Sequence, residues 1–282
     1  MPEPRLTVLM PVRDYQPAYL KRALSSVLGQ TSPRWRLVVI DDGSGGALGE
    51  VLRPALSDER VRLVQSVPRG FAAALNTGQR QARTDFISVL FADDMLAATA
   101  VEVFTSYIER LPEIDVFHAS RLFVDEQGRP ISEVQHARKT FTLADFQDGS
   151  PVKHPIVWRR ELALALGGMD ESLPPIGVDD YDFPWALADA GASFMALEEC
   201  LYLVRDHRDG FRLTTHVPLN IHTRALRRIM RKHGVGRAQA NSFIAQAKRG
   251  YLQQCLYRSR MDRWLKQRLG HDAHRGWRES YR

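Results

Sequence analysis

The chain has 282 residues, of which 44% are apolar and 26% are charged, a composition typical of a globular protein with one large domain or with a domain and an appendage. No apolar run is long enough to span a bilayer, and the N-terminal residues lack the apolar core of a signal peptide, so we expect a cytoplasmic protein. The two cysteines, Cys200 and Cys255, have neither metal-ligand spacing nor a disulfide framework, which favours free thiols.

The net charge of +6 is unevenly distributed along the chain. Residues 1–220 contain 23 basic and 30 acidic side chains, whereas residues 221–282 contain 16 basic and 3 acidic ones. Because an acidic surface repels a phosphate backbone, no nucleic-acid partner is expected for the larger part. The basic character belongs to the C-terminal tail.

Strands and helices alternate in the first part of the chain. The segment Leu6–Val12 is apolar nearly throughout, as expected of a parallel strand covered on both faces. Apolar side chains then recur at helical spacing from Pro17 to Gln30. This alternation predicts an α/β fold with a right-handed doubly wound sheet. The further predicted elements are a strand at Leu37–Ile40, a helix near Gly49–Leu56, a strand at Val61–Val64, a helix at Phe71–Ala82 and a strand at Phe86–Phe91.

Two of these strands are followed by paired carboxylates, Asp41-Asp42 and Asp93-Asp94. Either pair alone would be more typical of a turn or a helix cap. Both pairs, however, follow strands of one predicted sheet, and open α/β sheets bind ligands at the carboxyl ends of their strands. Adjacent carboxylates repel each other, and a hard divalent cation with a phosphate-bearing ligand offsets that repulsion. The pattern therefore predicts a nucleotide with its metal ion.

Standard phosphate-binding loops are missing from the sequence. No Gly-x-x-x-x-Gly-Lys-Ser/Thr motif occurs, and the glycine cluster from Gly43 to Gly49 does not match Gly-x-Gly-x-x-Gly because leucine stands at its last position. The same cluster follows two aspartates, which would face a bare pyrophosphate. A dinucleotide dehydrogenase and a P-loop NTPase are both disfavoured.

The middle of the chain is less regular. Residues Asp115–Ala119 and Arg121–Val124 are predicted strands, Asp125–Pro130 a hairpin turn and Thr140–Phe146 a short helix. Three histidines in this segment have no ligand spacing and are interpreted as structural or surface residues; they are His118, His136 and His154.

The tail from residue 220 to residue 270 predicts helices with an apolar stripe at three-to-four spacing and basic residues between. Three interpretations stay open: a helical appendage with a solvated basic face, a surface for anionic membrane lipids, or a site for a protein partner.

An ordered series of motifs in this chain resembles the family 2 glycosyltransferases, which have the GT-A fold. The resemblance extends from residue 6 to about residue 212, three-quarters of the chain. The motifs are Pro11-Val12-Arg13-Asp14-Tyr15, Gln30, Asp41-Asp42-Gly43-Ser44, Arg69-Gly70, Asn76 with Gly78, Asp93-Asp94, Gly167-Gly168-Met169-Asp170-Glu171, Asp179-Asp180-Tyr181-Asp182, and Arg205 with His207.

This resemblance implies a Rossmann-like mixed sheet flanked by helices in residues 1–219, with a nucleotide-sugar-binding half (1–112) and an acceptor-binding half (113–219). Residues 220–282 then form a basic C-terminal helical extension. The implied activity is inverting transfer of a sugar from a nucleoside-diphosphate sugar, with UDP as the expected carrier, to a glycan or lipid-linked acceptor in cell-surface polysaccharide, lipopolysaccharide or glycoprotein glycan synthesis. A non-catalytic nucleotide- or glycan-binding relative and a sugar-nucleotidyltransferase are the alternatives.

The resemblance also implies site residues for the donor and for a divalent cation, Mn²⁺ or Mg²⁺. The common Asp-x-Asp-Asp motif has Phe91 in place of its first aspartate here, so we expect metal use with an altered geometry. The implied metal ligands are Asp93, Asp94 and His207. The implied nucleotide-sugar-binding residues are Pro11, Val12, Asp14, Asp41, Asp42, Arg69, Gly70, Asn76 and Asp93.

In the acceptor half, the resemblance makes Asp180 the general base, because an inverting transfer needs one carboxylate within hydrogen-bond reach of the acceptor hydroxyl. Asp179, Tyr181 and Arg205 are the implied acceptor contacts. From the residues alone, one of these acids caps the following helix, predicted at Phe183–Ala190. By the same reasoning His207 is a metal ligand, an acceptor contact or a structural group. The oligomeric state is left open, and peripheral attachment to the inner face of a membrane is the alternative to a purely cytoplasmic location.

Overall fold

The computed structural model describes residues 3–206 and 217–257, with the side chain of Asp179 and those of residues 253–257 outside the description. The chain divides into two compact units after His207. This division lies earlier than the predicted boundary at residue 219.

The first unit is built around one eight-stranded mixed sheet with the strand order β3-β2-β1-β4-β7-β6-β8-β5. Its strands are β1 (Leu6–Val12), β2 (Trp35–Asp41), β3 (Val61–Gln65), β4 (Phe86–Val89), β5 (Met95–Leu96), β6 (Val116–Val124), β7 (Ile156–Arg159) and β8 (Phe194–Arg205). Its helices are α1 (Pro17–Leu28), α2 (Leu48–Leu52), α3 (Phe71–Gln81), α4 (Ala100–Arg110), α5 (Arg160–Ala165) and α6 (Asp179–Asp189), with 3₁₀ turns at Ala55–Ser57 and Leu143–Asp148.

Strands β1 to β4 pair in parallel, as the alternation of strands and helices predicts. The antiparallel strand β7 then joins β4 to β6, β8 runs parallel to β6, and the short β5 closes the edge in antiparallel pairing with β8. The predicted mixed GT-A type sheet is therefore confirmed. This sheet continues through both predicted halves. The division at residue 112 therefore stays a prediction about which part binds the donor and which part binds the acceptor.

The core lies around the two central parallel strands. Val8, Leu9 and Met10 of β1 are completely buried, as are Val39 and Ile40 of β2. A parallel strand covered by helices on both faces can bury all of its side chains, which explains the continuous apolar runs. The carboxyl ends of these strands therefore follow directly from the buried core of the sheet.

Local differences from the predicted elements have identifiable causes. The helix predicted over Gly49–Leu56 is interrupted near Pro54, which has no N–H to donate, and continues as a 3₁₀ turn. The two strands predicted around Ser120 form a single strand, β6, whose register with β8 shifts at that residue. Helix α6 begins at Asp179, earlier than predicted, with Val178 at its N-cap position.

In the second unit, α7 (Leu219–Lys232) packs against α8 (Arg237–Tyr257). The Tyr251 hydroxyl donates to the Val217 carbonyl oxygen at 2.6 Å, and Arg227 donates to the Asn241 side chain at 3.0 Å. The described part of the chain contains no helix with both the length and the apolar character that crossing a bilayer requires.

Candidate active site

The candidate site lies at the carboxyl edge of the parallel strands. The backbone N–H of Asp42 donates to Val12 O at 2.9 Å, and the N–H of Ser66 donates to Asp41 O at 2.9 Å. The ends of β1, β2 and β3 are therefore held side by side. The first acidic pair lies at this edge, as its position after β2 predicts.

Asp41 stabilises its own turn. Its Oδ1 accepts from the N–H of Gly43 at 3.1 Å and from the N–H and Oγ of Ser44 at 2.8 and 2.5 Å, and its Oδ2 accepts from Gln65 at 3.1 Å. Burial alone would raise the pKa of this carboxyl, but the hydrogen bonds from Ser44, Gln65 and Gly43 outweigh burial and lower it. Asp41 is thus a carboxylate whose oxygens serve the fold.

Asp42 has the opposite environment. The residue is 3% exposed, and its Oδ1 has no hydrogen-bond partner among the described residues. Its Oδ2 lies 3.5 Å from Nη1 of the half-exposed Arg13. Desolvation raises the pKa of Asp42, and the charge of Arg13 and hydrogen bonds from the backbone N–H groups of Gly70 and Arg69 oppose this rise. Buried carboxylate oxygens normally have hydrogen-bond partners, so Oδ1 of Asp42 is suited to accept from a ligand N–H or O–H.

The expected donor residues Gly70 and Asn76 turn out to hold two segments together. Gly70 precedes α3 with φ +103°, and a Cβ there would lie 2.3 Å from Pro175 Cβ. The Asn76 amide donates to Met169 O at 2.9 Å and to Glu171 at 3.0 Å, and its oxygen accepts from the Met169 N–H at 2.8 Å. These contacts attach α3 to the loop before α6. The buried Asn76 amide is therefore occupied by protein, and direct donor binding by it has no support.

Arg69 extends this connection at the surface. Its Nη2 lies 3.1 Å from Glu171 Oε2, and the Arg69 side chain is 62% exposed. It remains available to a ligand in a way that Asn76 is not.

The second acidic pair lies beyond β4. Asp94 is 6% exposed, its Oδ1 accepts from the backbone N–H of Arg205 at 2.8 Å, and its carboxylate also accepts from the buried Tyr202 hydroxyl. Asp93 is only partly buried. Its backbone oxygen accepts from Arg205 Nε at 2.8 Å. Asp94 therefore faces the protein interior, whereas Asp93 keeps solvent-accessible surface.

This placement corrects the expectation for Arg205. The residue is 2% exposed, and its guanidinium donates to the backbone oxygens of Asp93, Asp125 and Glu126. A side chain enclosed in this way cannot also reach an acceptor sugar. The sequence shows an arginine at a strand end and does not show that three carbonyl groups surround it.

Phe91 occupies the position of the missing first aspartate. Its ring lies 5.5 Å from the Phe71 ring and 4.9 Å from the His154 ring, measured between centroids. Both nitrogens of His154 are buried without a hydrogen-bond partner in the described structure, and desolvation lowers the pKa of this residue to about 3. His118 is also buried, with its pKa lowered to about 4 by desolvation, and both histidines are neutral.

The predicted base, Asp180, lies in the first turn of α6 rather than at its cap. Its side chain keeps exposed surface, yet the surrounding protein excludes much of the water, and this desolvation raises its pKa against the opposing charges of Lys153 and Arg121. Lys153 has a lowered pKa, caused first by desolvation and countered by Asp180. Neither Lys153 nor Arg121 is predicted from the sequence, because neither belongs to a recognisable motif.

Tyr181 is a packing residue in this structure. It is 7% exposed, its hydroxyl donates to the Phe146 carbonyl oxygen, and its ring lies 5.5 Å from the Trp185 ring. The expected acceptor contact through Tyr181 therefore has no support.

Among the remaining predicted residues, Val12 is buried, Pro11 is partly buried and Asp14 is exposed. His207 lies outside the described residues, and nothing is described of the Asp179 side chain. No group of three or more potential metal ligands occurs in residues 3–206 and 217–257. The carboxylate of Asp93 is nevertheless a suitable donor for a hard cation, because Mg²⁺ commonly uses one or two carboxylates together with substrate phosphates.

The chain is similar to known glycosyltransferases. The glycosyl transferase family 2 model matches residues 7–158, more than half of the chain. The O-antigen biosynthesis protein RfbC of Myxococcus xanthus is 29% identical over 72% of this chain, which spans only 16% of that protein. An uncharacterized glycosyltransferase of Haemophilus influenzae is 28% identical over 64% of this chain and 70% of its own length.

Solved structures agree on the fold. S. aureus TarS residues 1–349, in complex with UDP-GlcNAc, has a TM-score of 0.65 and 18% identity, over 91% of this chain and 74% of that one. A mannosyltransferase from Pyrobaculum calidifontis, in complex with GDP-Man and Mn²⁺, has a TM-score of 0.58 and 18% identity, over 87% of this chain and 69% of that one. The sequence match and the mixed sheet lead to one conclusion: this chain belongs to glycosyl transferase family 2 and has a GT-A type fold.

Proposed function

We propose that this glycosyltransferase transfers a sugar from a nucleoside-diphosphate sugar to a glycan or lipid-linked acceptor, with inversion at the anomeric carbon, in the assembly of a cell-surface polysaccharide. The observation that supports it most strongly is the buried Oδ1 of Asp42, which has no hydrogen-bond partner within the part of the chain that the structure describes. A nucleobase imide N–H would satisfy this oxygen. Solved relatives bind UDP-GlcNAc or GDP-Man, and the base of either nucleotide has such an N–H group. UDP is the carrier that we propose.

The proposed polysaccharide role is supported by relatives. RfbC is an O-antigen biosynthesis protein, and a putative glycosyltransferase, EpsE, of Bacillus subtilis is 24% identical over 74% of this chain and 76% of its own length. Because this chain spans about one-sixth of RfbC, the pathway and the acceptor remain part of the proposal.

The donor diphosphate is proposed to lie near Asp93, where Mn²⁺ or Mg²⁺ would be held by the carboxylate and the phosphates. When bound, such an ion neutralises the charge that develops on the departing nucleoside diphosphate. In this chain Arg205 would hold the backbone of Asp93, and the exposed Arg69 would lie near the proposed donor site. His207 stays a proposed ligand outside the described residues.

Asp180 is proposed to accept the proton of the acceptor hydroxyl. Its raised pKa makes its carboxylate a stronger base than an ordinary aspartate, because desolvation disfavours the charged form. The charges of Lys153 and Arg121 oppose that shift. Direct displacement with inversion requires one base on the acceptor side, and Asp180 is the residue proposed for this role.

The first experiment is to screen UDP- and GDP-sugars for hydrolysis and transfer, with Mn²⁺ or Mg²⁺ and with EDTA. Donor turnover that depends on the cation is expected for at least one nucleotide sugar. A chain that binds nucleotide without turnover would instead be a non-catalytic relative. A chain that makes nucleotide sugars from nucleoside triphosphates and sugar phosphates would be a nucleotidyltransferase.

The second unit supports a further part of the proposal, peripheral attachment to an anionic membrane. In α7 the apolar residues Leu226, Ile229 and Met230 are buried, while the basic side chains are exposed. These basic residues are Arg224, Arg227, Arg228, Arg231 and Lys232. A helix of this kind can adsorb through charge without inserting its apolar face, and such adsorption weakens as salt screens it.

Co-sedimentation with vesicles tests this attachment. Vesicles containing phosphatidylserine should retain the full chain at low salt, whereas pure phosphatidylcholine vesicles should not. The triple change of Arg227, Arg228 and Arg231 to Gln should reduce retention. Equal retention of both proteins would contradict the role of α7, and no retention of either would leave the chain without membrane attachment.

A further inference from the structure

Arg205, the last residue of β8, is one of the largest fully buried side chains in the described structure. Its guanidinium donates to Asp93 O at 2.8 Å, to Glu126 O at 2.7 Å, to Asp125 O at 3.1 Å and to Met95 Sδ at 3.4 Å. Enclosing a cation costs solvation energy unless the protein supplies such partners. Here the partners come from two loops that are distant in sequence.

The same residue contacts both members of the second acidic pair. Its backbone N–H donates to Asp94 Oδ1 at 2.8 Å, whereas its side chain holds the backbone of Asp93. Replacement of the side chain would leave the first contact in place and remove the second. The two contacts can therefore be separated by experiment.

The far side of the guanidinium is closed by α1. The Tyr19 ring lies 4.8 Å from Arg205 Cζ, a cation–π arrangement. The exposed Arg22 donates to Glu126 O at 3.2 Å from the solvent side. The turn at Asp125 and Glu126 is thus held by one arginine from the interior and by another from the surface.

We propose that Arg205 is a positioning residue for the metal site: its guanidinium fixes the backbone of Asp93, so that the Asp93 carboxylate is held in the geometry that a divalent cation needs. Mg²⁺ in particular requires a nearly ideal octahedral arrangement, and a ligand on a loosened backbone would satisfy it poorly. This inference rests on the proposed function and extends it, since it gives a role in the donor site to a residue that contacts neither donor nor acceptor.

A positioning role and a purely electrostatic role of Arg205 predict opposite changes in the affinity for the cation when Arg205 is replaced. If Arg205 positions Asp93, its replacement weakens binding of the cation. If Arg205 only neutralises the acidic pair, its replacement leaves more negative charge and strengthens binding of the cation.

The experiment measures the affinity of the full chain for Mn²⁺ in the presence of saturating UDP, by electron paramagnetic resonance of free Mn²⁺, together with thermal unfolding. Arg205→Met removes the charge and all donors, and Arg205→Lys keeps the charge and loses the forked geometry. We expect at least tenfold weaker Mn²⁺ binding for Met, an intermediate loss for Lys, and a smaller loss for Tyr19→Leu. Tyr19→Leu leaves the buried bonds in place and keeps the test available if a replacement at 205 prevents folding.

The matched control is Arg22→Met, which removes the bond to Glu126 O from the surface and should leave Mn²⁺ binding unchanged. Unchanged or tighter Mn²⁺ binding in a folded Arg205 variant, or in Tyr19→Leu, would overturn the inference. Lack of UDP-dependent Mn²⁺ binding by the unaltered chain would instead count against the proposed function.

Discussion

The two acidic pairs at the carboxyl edge of the sheet are alike in sequence and differ in how their members are used. In each pair one aspartate serves the fold: Asp41 accepts from Gly43, Ser44 and Gln65, and Asp94 accepts from Arg205. The other member keeps capacity for a ligand: Oδ1 of Asp42 is buried without a hydrogen-bond partner among residues 3–206 and 217–257, and Asp93 keeps accessible surface.

Two aspartates that are adjacent in sequence therefore do not by themselves form a site in which both carboxylates bind one ligand. The chain bends at Asp42 and turns at Asp93, so the two carboxylates of each pair lie in different environments. The order is reversed between the pairs: the member that keeps capacity for a ligand is the second residue of the first pair and the first residue of the second pair. Each pair therefore contains its own matched control.

The largest effect is expected at the acceptor side, outside both pairs. Asp180→Asn should lower kcat by about 10²- to 10⁴-fold, because removal of a general base costs that much in typical enzymes. Nucleotide binding should stay within about twofold, since Asp180 is proposed to contact the acceptor alone. Steady-state kinetics with a turned-over donor provides the measurement, and full activity in this variant would refute the base assignment.

The second acidic pair should separate catalysis from stability. Asp93→Asn is expected to lower kcat/KM on the order of 100-fold, because metal stabilisation of a leaving group is worth several kcal/mol, with little change in the free energy of unfolding. Asp94→Asn should lower the free energy of unfolding by about 1–3 kcal/mol, because a buried charge-assisted hydrogen bond is weakened.

Kinetics and urea unfolding of these two variants, compared side by side, give the measurement. If Asp93→Asn unfolds more easily than Asp94→Asn while the two variants have equal activity, the roles assigned to Asp93 and Asp94 are wrong.

The first acidic pair should show the same separation with smaller amplitude. Asp42→Asn should raise the donor KM about 10-fold with kcat little changed, because a hydrogen bond from the base to the carboxylate is worth about 1.5 kcal/mol and about 1.4 kcal/mol is a factor of ten. Asp41→Asn should leave the donor KM nearly unchanged and lower the free energy of unfolding by about 1–3 kcal/mol. Initial rates and urea unfolding test both, and a reversal of the two phenotypes would contradict the assignment.

The smallest expected effect is a shift in pH dependence. Because desolvation by the surrounding protein raises the pKa of Asp180, this group binds its proton at a higher pH than an ordinary aspartate, and kcat should fall with decreasing pH already above the usual aspartate range. Asp41 has a lowered pKa, so its contribution to stability is present above the unfolded-state pKa and is lost only as the pH falls through the lower folded-state value.

A kcat profile against pH, together with urea unfolding at each pH, would show both effects. An acid limb at or below the ordinary aspartate range would contradict the desolvated environment proposed for Asp180.

Much of the fold could be predicted from the sequence, because strand and helix periodicity is local. The apolar runs of β1 and β2, the helix at α1 and the acidic pairs at strand ends are all visible in short windows. The antiparallel insertion of β7 between β4 and β6 joins segments far apart in the chain, and only the overall resemblance indicated a mixed sheet.

The site was predicted less completely, because a motif identifies residues without their partners. Nothing local shows that Asn76 bonds to Met169, that three carbonyl groups surround Arg205, or that Lys153 lies close enough to Asp180 to affect its pKa. The motifs therefore predict ligand contacts for Asn76, Tyr181 and Arg205, although the structure uses their polar groups internally.

Titration calorimetry tests most directly whether Asp42, and not Asp41, binds the donor base. UDP is titrated, with Mn²⁺ present, into the unaltered chain and its Asp42→Asn and Asp41→Asn variants. The account predicts binding by the unaltered chain, about tenfold weaker binding by Asp42→Asn, and nearly unchanged binding by folded Asp41→Asn. Equal affinity of the unaltered chain and Asp42→Asn for UDP would contradict it.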